Sequence, residues 1–163
     1  MTVAGPMAAT TEVNPPRLPS MPSEDGARMP HTAHRVETRT VVVYSDDATV
    51  RERVRLALGR RPAPDLPELR YIECATQYAV LEAADHENVD LFILDGEAVP
   101  AGGMGLCRQL KDEIYRCPPV IVLIARRDDG WLATWSRADA TVLHPVDGVR
   151  LTPVVVDLLR RRS

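Results

Sequence analysis

The chain has 163 residues, 45% apolar and 26% charged, with a formal net charge of −3. That length fits one domain, at most two, and the acidic balance argues against a nucleic-acid coat or a polybasic membrane binder. No apolar run approaches the ~20 residues of a membrane span, and no basic stretch followed by an apolar core opens the chain as a secretory signal would.

Residues 1–38 hold six of the 14 prolines and no aromatic residue. Such a segment buries too little apolar surface to offset its ordering entropy. It is expected to be a Pro-rich tail, disordered alone or held extended on a partner. From Arg39 the pattern becomes regular. Thr40–Tyr44 (TVVVY) reads as a buried strand. Ser45, Asp46 and Asp47 then open a helix whose apolar face is Val50, Val54, Ala57 and Leu58, and Gly59 with the following prolines ends it. Tyr71–Ala75 is a second strand and Tyr78–Ala84 a short helix. Val89–Leu94 is a third strand ending at Asp95.

After a glycine-rich loop, Leu106–Ile114 forms a third helix. Pro119–Ala125 (PVIVLIA) is apolar throughout, as a central parallel strand covered on both faces requires. Asp128–Arg137 is helical and Ala140–Leu143 a fifth strand. Leu151–Arg161 is the last helix, with Thr152 as its expected cap and Pro153 in its first turn. Cys74, Cys107 and Cys117 have no ligand-like spacing and read as packing thiols in a reducing cytoplasm.

Five strands alternating with five helices predict an α/β fold, a doubly wound five-stranded parallel sheet over 39–163. Sites in such sheets form at the carboxyl ends of the strands. The residues due there are Ser45, Asp46 and Asp47, then Asp95, then Ile124, then His144 and Pro145.

An acidic cluster after strand one, an aspartate ending strand three, the PVIVLIA strand and a proline after strand five resemble a response-regulator receiver domain. The resemblance covers 39–163 and implies the flavodoxin-like strand order 2-1-3-4-5. It implies Asp95 as the phosphoacceptor position and Asp46 as a metal-binding acid. Asp46, Asp95 and Glu97 are then the residues that would hold Mg²⁺, weakly. The match is partial. Ser45 stands where a second acid is usual, Ile124 where a hydroxyl is usual, Thr141 where an aromatic switch residue is usual, and His144 where a lysine is usual. Phosphoryl transfer to a carboxylate needs dense positive compensation. A histidine side chain, which generally titrates near neutral pH, supplies only conditional charge. The resemblance therefore implies a degenerate, non-enzymatic receiver without a resident cofactor. The runs VVYSDD, DLFILDGEA, WLATWSRA and HPVD are similar to stand-alone mycobacterial receivers linked to the type I NADH dehydrogenase. They imply a large protein partner, the peripheral arm of respiratory complex I, reached from the cytoplasm. In the alternative, a phospho-switched regulator, a histidine kinase is the partner.

Plainer roles stand beside these. Asp46 and Asp47 suit a helix N-terminus, Asp95 a turn, and His144 a structural place before a proline that the family holds cis. Trp131 and Trp135, four apart on one helix face, suit either an interface or the core. With the last helix running nearly to the final residue, any output is expected to be a protein contact.

Overall fold

The structure, a computed structural model, describes residues 37–162 together with Val3, Gly5, Pro16 and Arg17. The Pro-rich tail expected over 1–38 therefore lies almost wholly outside the described residues.

Val41, Val42 and Val43, β-branched and fully buried, sit in β1 (Thr38–Tyr44). The remaining strands are β2 (Glu68–Cys74), β3 (Leu91–Asp95), β4 (Val120–Ile124) and β5 (Ala140–Leu143). All pair in parallel, in the order β2-β1-β3-β4-β5. β3 and β4 are buried along their whole length, which is why they read as unbroken apolar runs instead of alternating ones. The helices are α1 (Ala48–Leu58), α2 (Gln77–His86), α3 (Gly103–Glu113), α4 (Gly130–Ser136) and α5 (Gly148–Arg161).

The pleat sends alternate side chains to opposite faces, and two apolar layers result. One joins Val41, Val43, Leu91 and Ile93 to Val54 and Leu58 of α1 and Leu151, Val155 and Leu159 of α5. The other joins Val42, Phe92, Leu94 and Val122 to Val80 of α2 and Leu106, Cys107 and Leu110 of α3. Cys74 and Cys107 are core residues and Cys117 is half-buried.

The elements depart from the sequence reading at their ends. β2 begins at Glu68, three residues before the expected Tyr71, because its first residues pair with Thr38–Thr40. β3 begins at Leu91 because Asp90 turns its carboxylate back to accept the Thr40 N–H at 2.8 Å. The expected helix over 128–137 divides into a single 3₁₀ turn (Arg127–Asp129) and the two turns of α4. Thr152 does not cap α5. Asp147 does, accepting the Arg150 N–H, so Pro153 falls in the second turn. Its missing N–H faces the carbonyl of Val149, a residue exposed to water.

Candidate functional site

The carboxyl ends of β1, β3, β4 and β5 converge on one carboxylate. Asp95 ends β3 and is 3% exposed. The Ser45 hydroxyl, fully buried at the end of β1, donates to Asp95 Oδ2 at 2.8 Å. The Glu97 N–H donates to Oδ1 at 3.0 Å. His144 Nε2 lies 2.9 Å from the same Oδ1. Burial pushes the Asp95 carboxyl up, but the hydrogen bonds from His144, Glu97 and Ser45 outweigh it and hold it below the ordinary value of 3.8. Asp95 is thus ionised near neutral pH. An ionised carboxylate only accepts, so His144 Nε2 carries the proton and donates.

Backbone contacts fix these side chains. The Gly96 N–H donates to the Leu123 carbonyl and the His144 N–H to the Ile124 carbonyl. These bonds extend the sheet pairing one residue past the strand ends and aim Asp95 and His144 at each other. The His144–Pro145 peptide is cis, as the resemblance implies. A Cβ on Gly96 would stand 2.6 Å from the Leu123 carbonyl oxygen, and one on Gly103 would stand 2.7 Å from that of Asp95. Both glycines are demanded by close backbone approach.

The remaining candidates fall into two groups. Ser45, Asp46, Asp95, Glu97, Ile124, His144 and Pro145 gather at this edge. Asp46 is exposed and accepts the Val99 N–H at 3.3 Å. Asp47 caps α1 by accepting the Thr49 N–H. Ile124 is buried among the apolar residues of the second layer. Glu97 is exposed and reaches Asp95 through its backbone. Thr141, Trp131 and Trp135 lie elsewhere, all exposed, the two rings at 69% and 52%. α4 buries Ala133 and Ser136 instead, which turns both tryptophans outward. Arg108 stacks 5.3 Å from the Trp135 ring centre and donates to its carbonyl.

A Mg²⁺ ion fits this donor set poorly. Among the described residues no group of three or more His, Cys, Asp or Glu side chains is placed to hold a metal, and hard cations need several oxygen ligands. Asp46, Asp95 and Glu97 do not form such a group.

Sequence reasoning did not find two supports. Tyr44 is buried in β1, and its hydroxyl donates to the Ala101 carbonyl, tying down the loop after Asp95. Burial, with Asp46 and Asp95 nearby, raises its pKa. Arg51 Nη1 donates to the Ser45 carbonyl at 2.7 Å. The polar end of a TVVVY strand was the available signal for the first. The second had none, since an arginine on a helix is ordinarily solvated.

An uncharacterized response regulatory protein of Mycobacterium tuberculosis is 56% identical over 120 residues, which are 74% of this chain and 90% of that protein. The chain belongs to the response-regulator receiver family. The transcriptional regulatory protein CseB of Streptomyces avermitilis is 33% identical over 129 residues, and the match spans about half of CseB, 51%. No protein-family model matches this receiver. Among solved structures, the receiver domain of the Francisella response regulator 1452 superposes with a TM-score of 0.66 at 18% identity, over 77% of this chain and 99% of that one. The chemotaxis response regulator CheY4 of Vibrio cholerae gives 0.64 at 16% identity, over 76% and 100%. At those identities the structures speak for the fold. Among the described residues of this receiver, no helix is long and apolar enough to cross a membrane.

Proposed function

We propose that this receiver works without phosphorylation, as a non-enzymatic module that acts by protein contact. The observation that carries the reading is the closed hydrogen-bond set of Asp95. His144 and the Glu97 N–H hold one oxygen and Ser45 the other. A phosphoryl group on this carboxylate would displace those donors and bring three further oxygens to be compensated. Ile124 offers them no hydroxyl, and His144 no permanent charge. The exposed tryptophans of α4 are assigned to the contact, since tryptophan is enriched at interface hot spots. The partner assigned is a large assembly, the peripheral arm of respiratory complex I. That choice rests on the similarity of the sequence runs alone. Residues 1–38 are assigned to lie along it while 39–163 anchors, because proline-rich chain loses little entropy on ordering.

The test is isolation of tagged full-length protein from cell membranes. Complex I subunits are expected in near-stoichiometric yield, undiminished by Asp95→Asn and reduced by Trp131→Ala with Trp135→Ala. Recovery of the protein alone overturns the partner.

A second reading is a phospho-switched regulator served by a histidine kinase, with Asp95 as acceptor. It is favoured by the ionised state of Asp95, since a carboxylate attacks phosphorus only when deprotonated. Acetyl phosphate with Mg²⁺ separates the two. A phosphoryl mass increment that Asp95→Asn abolishes supports the second reading.

A further inference from the structure

At the amino edge of the sheet, away from Asp95, the connection from α3 to β4, the residue before β5 and the end of α5 surround a cavity of about 440 Å³. That volume lies within the range of small-molecule sites, about 300–1,000 Å³. Its apolar wall is Pro119, Leu158 and the half-buried Cys117. Its charged groups are Arg116, Arg161, Arg162 and Asp139.

The carboxylates around this cavity are matched, and the arginines are not. Asp139 accepts from the Lys111 ammonium at 2.6 Å and from the Val120 N–H at 2.7 Å, so its charge is met inside the fold. Arg161 pairs with Asp157 on its own helix, but both side chains are more than half exposed, where such a pair is weak. Arg162 has an Asp90 oxygen 3.9 Å from its Nε, and Asp90 already accepts from the Thr40 N–H and from Arg39. Arg116 makes no ion pair or side-chain hydrogen bond among the described residues, and its guanidinium stacks 5.5 Å from the Tyr115 ring centre. Arg137, also near the Cys117 thiol, is met by Asp112. Over the lining residues and their pairs, Lys111 and Arg39 included, the balance is positive by two charges. Arg116 also sits at φ +52°, a left-handed conformation that bulky residues rarely take. Glycine would adopt it without that cost, so the position holds an arginine against its backbone preference.

A single carboxylate offers its two oxygens to one guanidinium fork. A phosphate monoester carries about −1.5 to −2 charges at neutral pH and three strong acceptor oxygens, which suits three guanidinium groups and the positive surplus. Free phosphate would leave the wall of Pro119 and Leu158 uncovered, whereas a flat ring covers it and also stacks on guanidinium planes. We propose that this cavity binds a mononucleotide, its phosphate on Arg116, Arg161 and Arg162 and its base against Pro119 and Leu158. Neither Asp95 nor the tryptophans of α4 line it, so the proposal goes beyond the contact reading and is tested apart from it.

The test is calorimetric titration of the full-length protein with AMP, GMP, CMP and UMP, and with adenosine and inorganic phosphate as controls. At least one mononucleotide should bind with Kd below about 1 mM, and both controls should bind at least about tenfold more weakly. Arg116→Gly should weaken the mononucleotide about tenfold or more without lowering the thermal midpoint, because glycine suits the backbone there. Arg161→Gln with Arg162→Gln should weaken it similarly, which keeps the test open if Arg116→Gly disturbs the fold. Cys74 and Cys107 are buried, so iodoacetamide should alkylate the folded protein at Cys117, and the bound nucleotide should slow the reaction. Intact mass follows it, with Cys117→Ser as the blank. The proposal is overturned if no mononucleotide binds below about 1 mM, if adenosine or inorganic phosphate binds as tightly, if the arginine variants fold and bind normally, or if saturating nucleotide leaves the alkylation rate of Cys117 unchanged.

Discussion

Asp95 and His144, 49 residues apart in the chain, meet at 2.9 Å across the carboxyl edge of the sheet. The imidazole serves the folded state by donating to a carboxylate that water barely reaches. His144→Ala should leave Oδ1 with the Glu97 N–H alone. The expected loss is about 1–3 kcal/mol, the cost of an acceptor deprived of its buried partner. His144→Gln, which can still donate, should lose less. Urea unfolding midpoints of the two variants check the order.

Acid stability should depend on Asp95. Burial raises its pKa, yet the bonds from His144, Glu97 and Ser45 leave it lowered from 3.8. The unfolded chain therefore binds that proton more readily than the folded one. The stabilisation is complete above the ordinary carboxylate value and is lost as pH falls through the lower folded value. Asp95→Asn should flatten the stability profile in that acid window and leave its slope above about pH 5 unchanged. Thermal unfolding across pH 2–6 in both proteins, roughly the span in which carboxylates titrate, measures it.

Restoring the usual groups should restore the usual chemistry. Wild-type protein treated with acetyl phosphate and Mg²⁺ should stay essentially unmodified by intact mass. Ile124→Thr with His144→Lys supplies a hydroxyl and a permanent charge beside Asp95, and should gain a phosphoryl increment. An unmodified double variant would place the obstacle elsewhere, in Ser45 or in the loop after Asp95.

α3 should tolerate no side chain at Gly103. A Cβ there would meet the Asp95 carbonyl oxygen at 2.7 Å and its carbon at 2.8 Å, both backbone atoms that cannot swing aside. Gly103→Ala should cost about 1–3 kcal/mol by overpacking. Gly105→Ala, on the same helix with nothing within 4 Å of its Cβ position, should be neutral or slightly stabilising. Denaturation of the pair gives the contrast.

The tryptophans offer a simple check on α4. With Trp131 and Trp135 at 69% and 52% exposed, native fluorescence should be red-shifted, readily quenched by acrylamide, and little changed on unfolding. A blue-shifted native emission would mean that α4 packs its rings inward.

Local pattern carried most of the fold. The valines of β1, the unbroken runs of β3 and β4 and the apolar stripe of α5 are short-range signals, because burial on a strand or a helix face repeats within a few residues. Strict alternation of such elements leaves few topologies, so the parallel sheet and the residues at its carboxyl edge were legible, while the strand order came from the family resemblance. Their partners were not. The start of β2 depends on pairing with Thr38, the cap of α5 on the conformation of Asp147, and the outward turn of Trp131 and Trp135 on α4 burying Ala133 and Ser136. Helical spacing places the two rings on one face, but packing chooses whether that face meets the core or water. The same holds for Asp95. Its position could be read from a strand end, whereas its occupancy by Ser45 and His144, 50 and 49 residues away, arises only when four strand ends close on one point. No window of sequence contains that geometry.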